Sequence, residues 1–173
     1  MRLLKILPSI VFVFPLLNAG SECSDALSAE KPLYVCDILG NLQKYRGRVV
    51  QVRAVMNHGL RPFAACEMPT ITEGYKWPDA ISAEIIREVP NVSECASSTR
   101  RDLTIRSFME EERKAKVASP NITTVATFIG RILAREKYVR VQTNYGLLAN
   151  GFGHLGAFAA AMEIYIVRDI ERK

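Results

Sequence analysis

From Arg48 to Met56 apolar and polar positions alternate, with Val50, Val52, Ala54 and Met56 on one face and Val49, Gln51, Arg53 and Val55 on the other. That period of two, carried by β-branched residues, predicts a half-buried strand. Just upstream the period changes: Val35, Ile38, Leu39 and Leu42 recur at helical spacing between Tyr34 and Tyr45, Asp37 sits near the positive end of the helix dipole, and Gly47 stops the run. Asn57-His58-Gly59 is turn chemistry, and Leu60 to Cys66 reads as a return strand weakened by Pro62. Residues 67–79, with Pro69, Gly74 and Trp77-Pro78-Asp79, read as a loop before a third strand over Ala80 to Val89.

The second half repeats the contrast. Ser97-Ser98-Thr99 offers a helix cap, and Arg100 to Val117 places Leu103, Ile105, Phe108 and Met109 among charges of both signs, the mark of a solvated helix face. Asn121 to Ala134 is rich in Ile, Thr, Val and Phe and predicts a long strand, with Lys137 to Thr143 as its hairpin partner. A glycine-rich loop, Asn150 to Gly156, precedes a last strand over Ala159 to Ile170 with Met162, Ile164 and Ile166 on one face. Strands at both ends of the chain, none joined by regular βαβ units, predict a mainly β fold. We expect an antiparallel sheet closed into an OB-fold-like barrel, with a short N-terminal helix and one longer helix between strands 3 and 4.

The first residues change the setting. Arg2 and Lys5 precede an uncharged apolar stretch from Ile6 to Leu17, and the small residues Ala19-Gly20-Ser21 follow. This is the layout of a secretory signal peptide over residues 1–21, too short and too proline-interrupted to span a bilayer. Lipidation through Cys23 is disfavoured because Glu22 stands where a bacterial lipobox needs a small residue. The expected organisation is signal peptide 1–21, flexible leader 22–32 and a single domain over 33–173, working in the periplasm or outside the cell. Losing Arg2 and Lys5 lowers the net charge from +5 to +3. That modest charge, with export, argues against a nucleic-acid partner despite the available aromatics Phe63, Tyr75, Trp77, Phe128, Tyr138 and Tyr145.

All four cysteines, Cys23, Cys36, Cys66 and Cys95, lie beyond the cleavage zone. An even count in an oxidising compartment favours disulfides. No C-x-x-C pair is present and the only histidines are His58 and His154, so no metal or other cofactor is expected. Cys36 opens the helix leading into the first long strand and Cys66 ends the strand returning along it, which favours a Cys36–Cys66 bridge and leaves Cys23 with Cys95.

Candidate chemistry concentrates in Gly151-Phe152-Gly153-His154-Leu155-Gly156. Its glycines suit either close approach to a ligand or a tight bend before the last strand, and no Lys-Ser/Thr pair follows as in a phosphate loop. Gly151, Phe152, Gly153 and His154 are the candidate ligand-binding residues. His154 could otherwise fix the turn by bonding to backbone, or act as a base in an extracytoplasmic hydrolase. No Gly-x-Ser-x-Gly and no distinguished carboxylate pair exists, so no catalytic residue is assigned.

Two stretches carry a resemblance. Val35-Cys36-Asp37-Ile38-Leu39 running on through Tyr45-Arg46-Gly47-Arg48-Val49-Val50-Gln51-Val52-Arg53 resembles the cysteine, short helix and Tyr-x-Gly-Lys-x-Val-x-Val opening of small exported bacterial OB-like domains. Asn150-Gly151-Phe152-Gly153-His154-Leu155-Gly156-Ala157-Phe158 resembles their closing segment. Arg48 stands where lysine is commoner. The resemblance implies the OB-like fold and export, and it brings no reaction or ligand. The expected function is a non-catalytic binding module for a protein or small ligand of the cell envelope, with a hydrolase or a structural envelope component as alternatives.

Overall fold

A computed structural model describes residues 31–57, 61–63, 75–84, 103–144 and 146–173. The signal segment, the leader to residue 30, Cys23, Cys66, Cys95 and His58 lie outside the described residues. In chain order the elements are β1 (Leu33–Tyr34), α1 (Val35–Leu39), α2 (Leu42–Tyr45), β2 (Val49–Asn57), β3 (Arg61–Phe63), β4 (Ile81–Glu84), β5 (Leu103–Thr104), α3 (Ile105–Ala118), β6 (Thr124–Ala134), β7 (Arg140–Thr143), β8 (Gly146–Ala149), a 3-10 turn (His154–Gly156) and β9 (Ala160–Arg172).

The predicted N-terminal helix is two short helices, parted at Gly40-Asn41. Asp37 lies within hydrogen-bond distance of the Tyr34 amide, at 2.8 Å, and so caps the helix it was placed in for its charge. The longer helix starts later than Thr99: Thr104 is its cap, its hydroxyl accepting from the Ser107 amide at 3.2 Å.

β2, β6 and β9 form the centre of a sheet ordered β1-β2-β6-β9-β4, with β2–β6 and β6–β9 antiparallel. The alternation read in β2 is obeyed. Val50, Val52, Ala54 and Met56 stand beside Ala126, Phe128 and Ile132 of β6 and Met162, Ile164 and Val167 of β9 in one buried core. Val35, Ile38, Leu39 and Leu42 of the short helices and Ile105 and Phe108 of α3 complete it. Phe108 meets Phe128 edge to face, 5.8 Å between centroids. β9 gains on β6 by two register shifts, between Val125 and Thr127 and between Ile129 and Gly130. The second corrects the expectation that Met162, Ile164 and Ile166 share a face, because Met162 and Ile164 stay in the core while Ile166 pairs with Ile129 on the other face and Val167 takes the core position. At the second, Gly130 lets β9 come close, since a β-carbon there would lie 2.0 Å from the Glu163 carbonyl oxygen.

The expected barrel is not formed. The sheet is open and mixed: β1 joins β2 in parallel over Leu33 and Tyr34, and β4 joins β9 in parallel over Ile81 to Glu84. Closure requires the first and last strands to share a ladder. Here short strands end both edges, and β3 runs near β4 without a ladder between them. A second correction concerns Lys137 to Thr143, which pairs with β8 and not with β6; Arg140 faces Ala149 and Val141 faces Leu148. The outer edge of β6 in that region is already used, because Gly47 and Arg48 hydrogen-bond to Ile132 there. No described helix is long and apolar enough to cross a membrane.

Candidate functional site

β8 ends at Ala149 and β9 begins at Ala160, and the glycine-rich loop between them is built into the end of the sheet. Asn150 anchors its start. The Asn150 side chain accepts from the Val139 amide at 2.8 Å and donates to the Lys137 carbonyl at 3.1 Å, tying the loop to the β7–β8 hairpin. Phe152 and Phe158 then exchange backbone hydrogen bonds of 2.8 and 3.1 Å, which closes the loop at its neck. Within the neck, Gly153 and Gly156 take positive φ (70° and 65°) and Leu155 takes φ 56°. The turn is held by the Gly156 and Ala157 amides donating to Gly153 and His154 carbonyls, both at 3.2 Å.

Space as well as conformation demands the glycines. A β-carbon on Gly151 would stand 2.2 Å from the Phe158 oxygen, 2.4 Å from the Gly156 oxygen and 2.6 Å from the Trp77 ring. Trp77 is buried, flanked edge to face by Tyr75 (4.7 Å) and Tyr138 (5.3 Å). The Tyr138 hydroxyl donates to the Ala159 carbonyl and accepts from the Arg135 amide at 3.0 Å. Burial raises the Tyr138 pKa, opposed mainly by its bond to Arg135. Arg135 itself reaches across the loop. Its Nε donates to the Asn150 carbonyl at 2.9 Å, its Nη2 to the Gly151 carbonyl at 3.3 Å, and its guanidinium lies 4.5 Å over the Phe152 ring.

The candidates of the sequence therefore divide. Gly151, Gly153 and Gly156 shape a bend. Phe152 is half-buried beneath Arg135. His154 is not tucked against backbone carbonyls as a turn-fixing histidine would be. It is exposed, beside Leu155 at 52% exposure, and its imidazole makes no hydrogen bond with a described residue. Arg135 was not foreseen, and Asn150, Trp77 and Tyr138, though named as the loop's first residue and as available aromatics, were not joined into one site because no spacing links them; the tertiary fold brings them together. Cys36 is half-buried on α1 with no free thiol, and Cys66, its expected partner, lies outside the described residues. Among the described residues no group of three or more His, Cys, Asp and Glu side chains could hold a metal.

Comparison with protein-family models, curated proteins and solved structures finds no match.

Proposed function

We propose that this chain is an exported, non-catalytic binding module that presents the tip of its glycine loop, His154 and Leu155, to a partner or small ligand of the cell envelope. One observation carries the reading. Leu155 holds a positive φ, which costs a non-glycine residue on the order of 1–2 kcal/mol. Its side chain buys no core packing in return, standing 52% exposed beside an exposed imidazole. Backbone strain of this kind gathers at sites that recognise something. The support beneath the tip is rigid: a neck closed by two hydrogen bonds, an arginine clamped on two carbonyls, and a buried tryptophan under Gly151. Such a loop loses little freedom on binding, and covering an exposed leucine is favourable.

The setting belongs to the same proposal. The n-region, apolar stretch and small-residue zone at residues 1–21 support export, and the two stretches resembling exported bacterial domains point the same way. A Cys36–Cys66 disulfide suits that compartment; closing a loop of about 30 residues would stabilise by roughly 3–4 kcal/mol.

The test uses the mature protein as bait in periplasmic extract or culture medium from the source cell. A His154→Ala/Leu155→Ala variant should keep its melting temperature within about 2 °C and lose the captured partner or ligand. A variant that melts normally and still captures the same species removes the loop from the function.

A further inference from the structure

We infer that the sheet face opposite the core holds a binding site for a small oxyanion, with Arg168 as its cationic anchor. The ladder sets the groups in rows. Arg53 of β2 pairs with Thr127 of β6, and Thr127 with Arg168 of β9; the next row is Gln51, Ile129 and Ile166. Arg168 is 3% exposed, Gln51 6% and Thr127 1%, with Ile129 and Ile166 buried beside them. The Arg168 Nη2 donates to the Gln51 Oε1 at 2.7 Å. Since Gln51 lies on β2 and Arg168 on β9, the two side chains together bridge the width of β6, a span of about 10 Å at ordinary strand spacing. Their contact therefore lies over β6, beside Thr127 and Ile129.

A guanidinium so deeply buried requires a counter-charge or a full set of acceptors. Arg168 has neither. Gln51 is a neutral acceptor, and the buried Arg168 Nε has no acceptor among the described residues. The described carboxylates of this face do not reach it. Glu171 is engaged by Arg53 at 2.5 Å, and Glu163 lies across the ladder from Arg131 without an ion pair to Arg168. An oxyanion supplies what is missing: two or more acceptor oxygens matched to the guanidinium fork, and a negative charge. The Thr127 hydroxyl, whose one partner among the described residues is a long 3.4 Å contact from Arg53, offers a further donor at the centre of the row.

This site is independent of the glycine loop, and its test is separate. The mature protein in Tris chloride is melted with added inorganic phosphate, with acetate, and with sodium chloride at matched ionic strength. A saturating oxyanion should raise the melting temperature by about 5 °C beyond the chloride control, by the ordinary linkage of ligand binding to stability. Phosphate acting alone assigns a phosphate ligand, and acetate acting alone a carboxylate. Gln51→Glu places a carboxylate where the 2.7 Å contact now stands, and should weaken the apparent affinity for the added oxyanion at least tenfold. Arg168→Met should abolish the response. Absence of any oxyanion effect beyond chloride in the parent, or a Gln51→Glu response equal to the parent's, overturns the inference even if Arg168→Met fails to fold.

Discussion

Replacing Gly151 by alanine tests whether the loop is fixed by contact rather than by backbone freedom alone. Gly151 does not hold a positive φ, so the cost must come from space. Its new β-carbon would lie 2.2 and 2.4 Å from two carbonyl oxygens, where ordinary contact begins at 3.4 Å. Neither oxygen can swing away, since one belongs to the Phe152–Phe158 bridge and the other to the turn's own glycine. The neck must open by about an ångström, which forfeits two hydrogen bonds worth about 1 kcal/mol each. Disturbing the seat of Trp77 adds about 1–2 kcal/mol of overpacking. The total is about 3–4 kcal/mol, or a fall in melting temperature of about 8–15 °C for a chain of this length. Gly47 supplies the matched control: it has φ 73° and nothing within 4 Å of its would-be β-carbon. Gly47→Ala should cost only the left-handed backbone penalty, about 1 kcal/mol and about 2–4 °C. The assay is thermal unfolding followed by circular dichroism, with urea titration to check that the slope is unchanged. Equal shifts for the two variants would show the Gly151 contacts to be inconsequential and refute the reasoning.

Glu112→Gln should destabilise by about 2 kcal/mol in urea unfolding, because the buried carboxylate accepts from Thr124 Oγ1 and from Arg172 Nε, both at 2.8 Å, and pins α3 to the ends of β6 and β9. The figure is held below that of a fully buried pair because the Arg172 side chain is 29% exposed and its charge is screened. Tyr138 has a folded pKa above its unfolded value of about 10, so the fold favours the protonated phenol. Its stabilising contribution is whole below pH 10 and is lost as pH rises through the folded pKa. The stability difference between parent and Tyr138→Phe should therefore shrink in melts run from pH 9 to 11.5, and a constant difference would sink the assignment. Mass spectrometry of exported protein should show a new N-terminus between Ala19 and Glu22, and non-reducing peptide mapping should join Cys36 to Cys66; an intact Met1 or a Cys36 peptide joined elsewhere contradicts these readings.

What could be read along the chain was whatever depends on neighbours in sequence. The period of two in Val50, Val52, Ala54 and Met56 gives the core face of β2, and the helical spacing of Ile105 and Phe108 gives the face of α3 that meets Phe128. The bend at Gly153 and Gly156 was equally legible, since glycine is the residue that takes positive φ freely. Closure was not. A strand in a barrel and a strand in an open sheet with one covered face share the same alternation, so nothing in Arg48 to Met56 distinguishes them. The edges decide it, through two residues of β1 and four of β4, both joined in parallel to strands far away in sequence. The same holds for the β7–β8 pairing, which a local reading gave to β6. Around the loop, nothing in the sequence links Arg135 and Trp77 to Asn150. They meet because β6 and the hairpin end where β9 begins, and that meeting turns a flexible glycine run into a fixed one. Arg168 is the sharpest case. Period two counted from Met162 and Ile164 would put it on the core face. The extra residue of β9 at the second register shift moves Ile166 and Arg168 to the other face, and its burial and the absence of a carboxylate beside it among the described residues follow from the strands around it. Local pattern determines conformation because backbone preference acts over a few residues; the environment of a charge is set by whatever the fold brings within a few ångströms, and only the tertiary structure holds that.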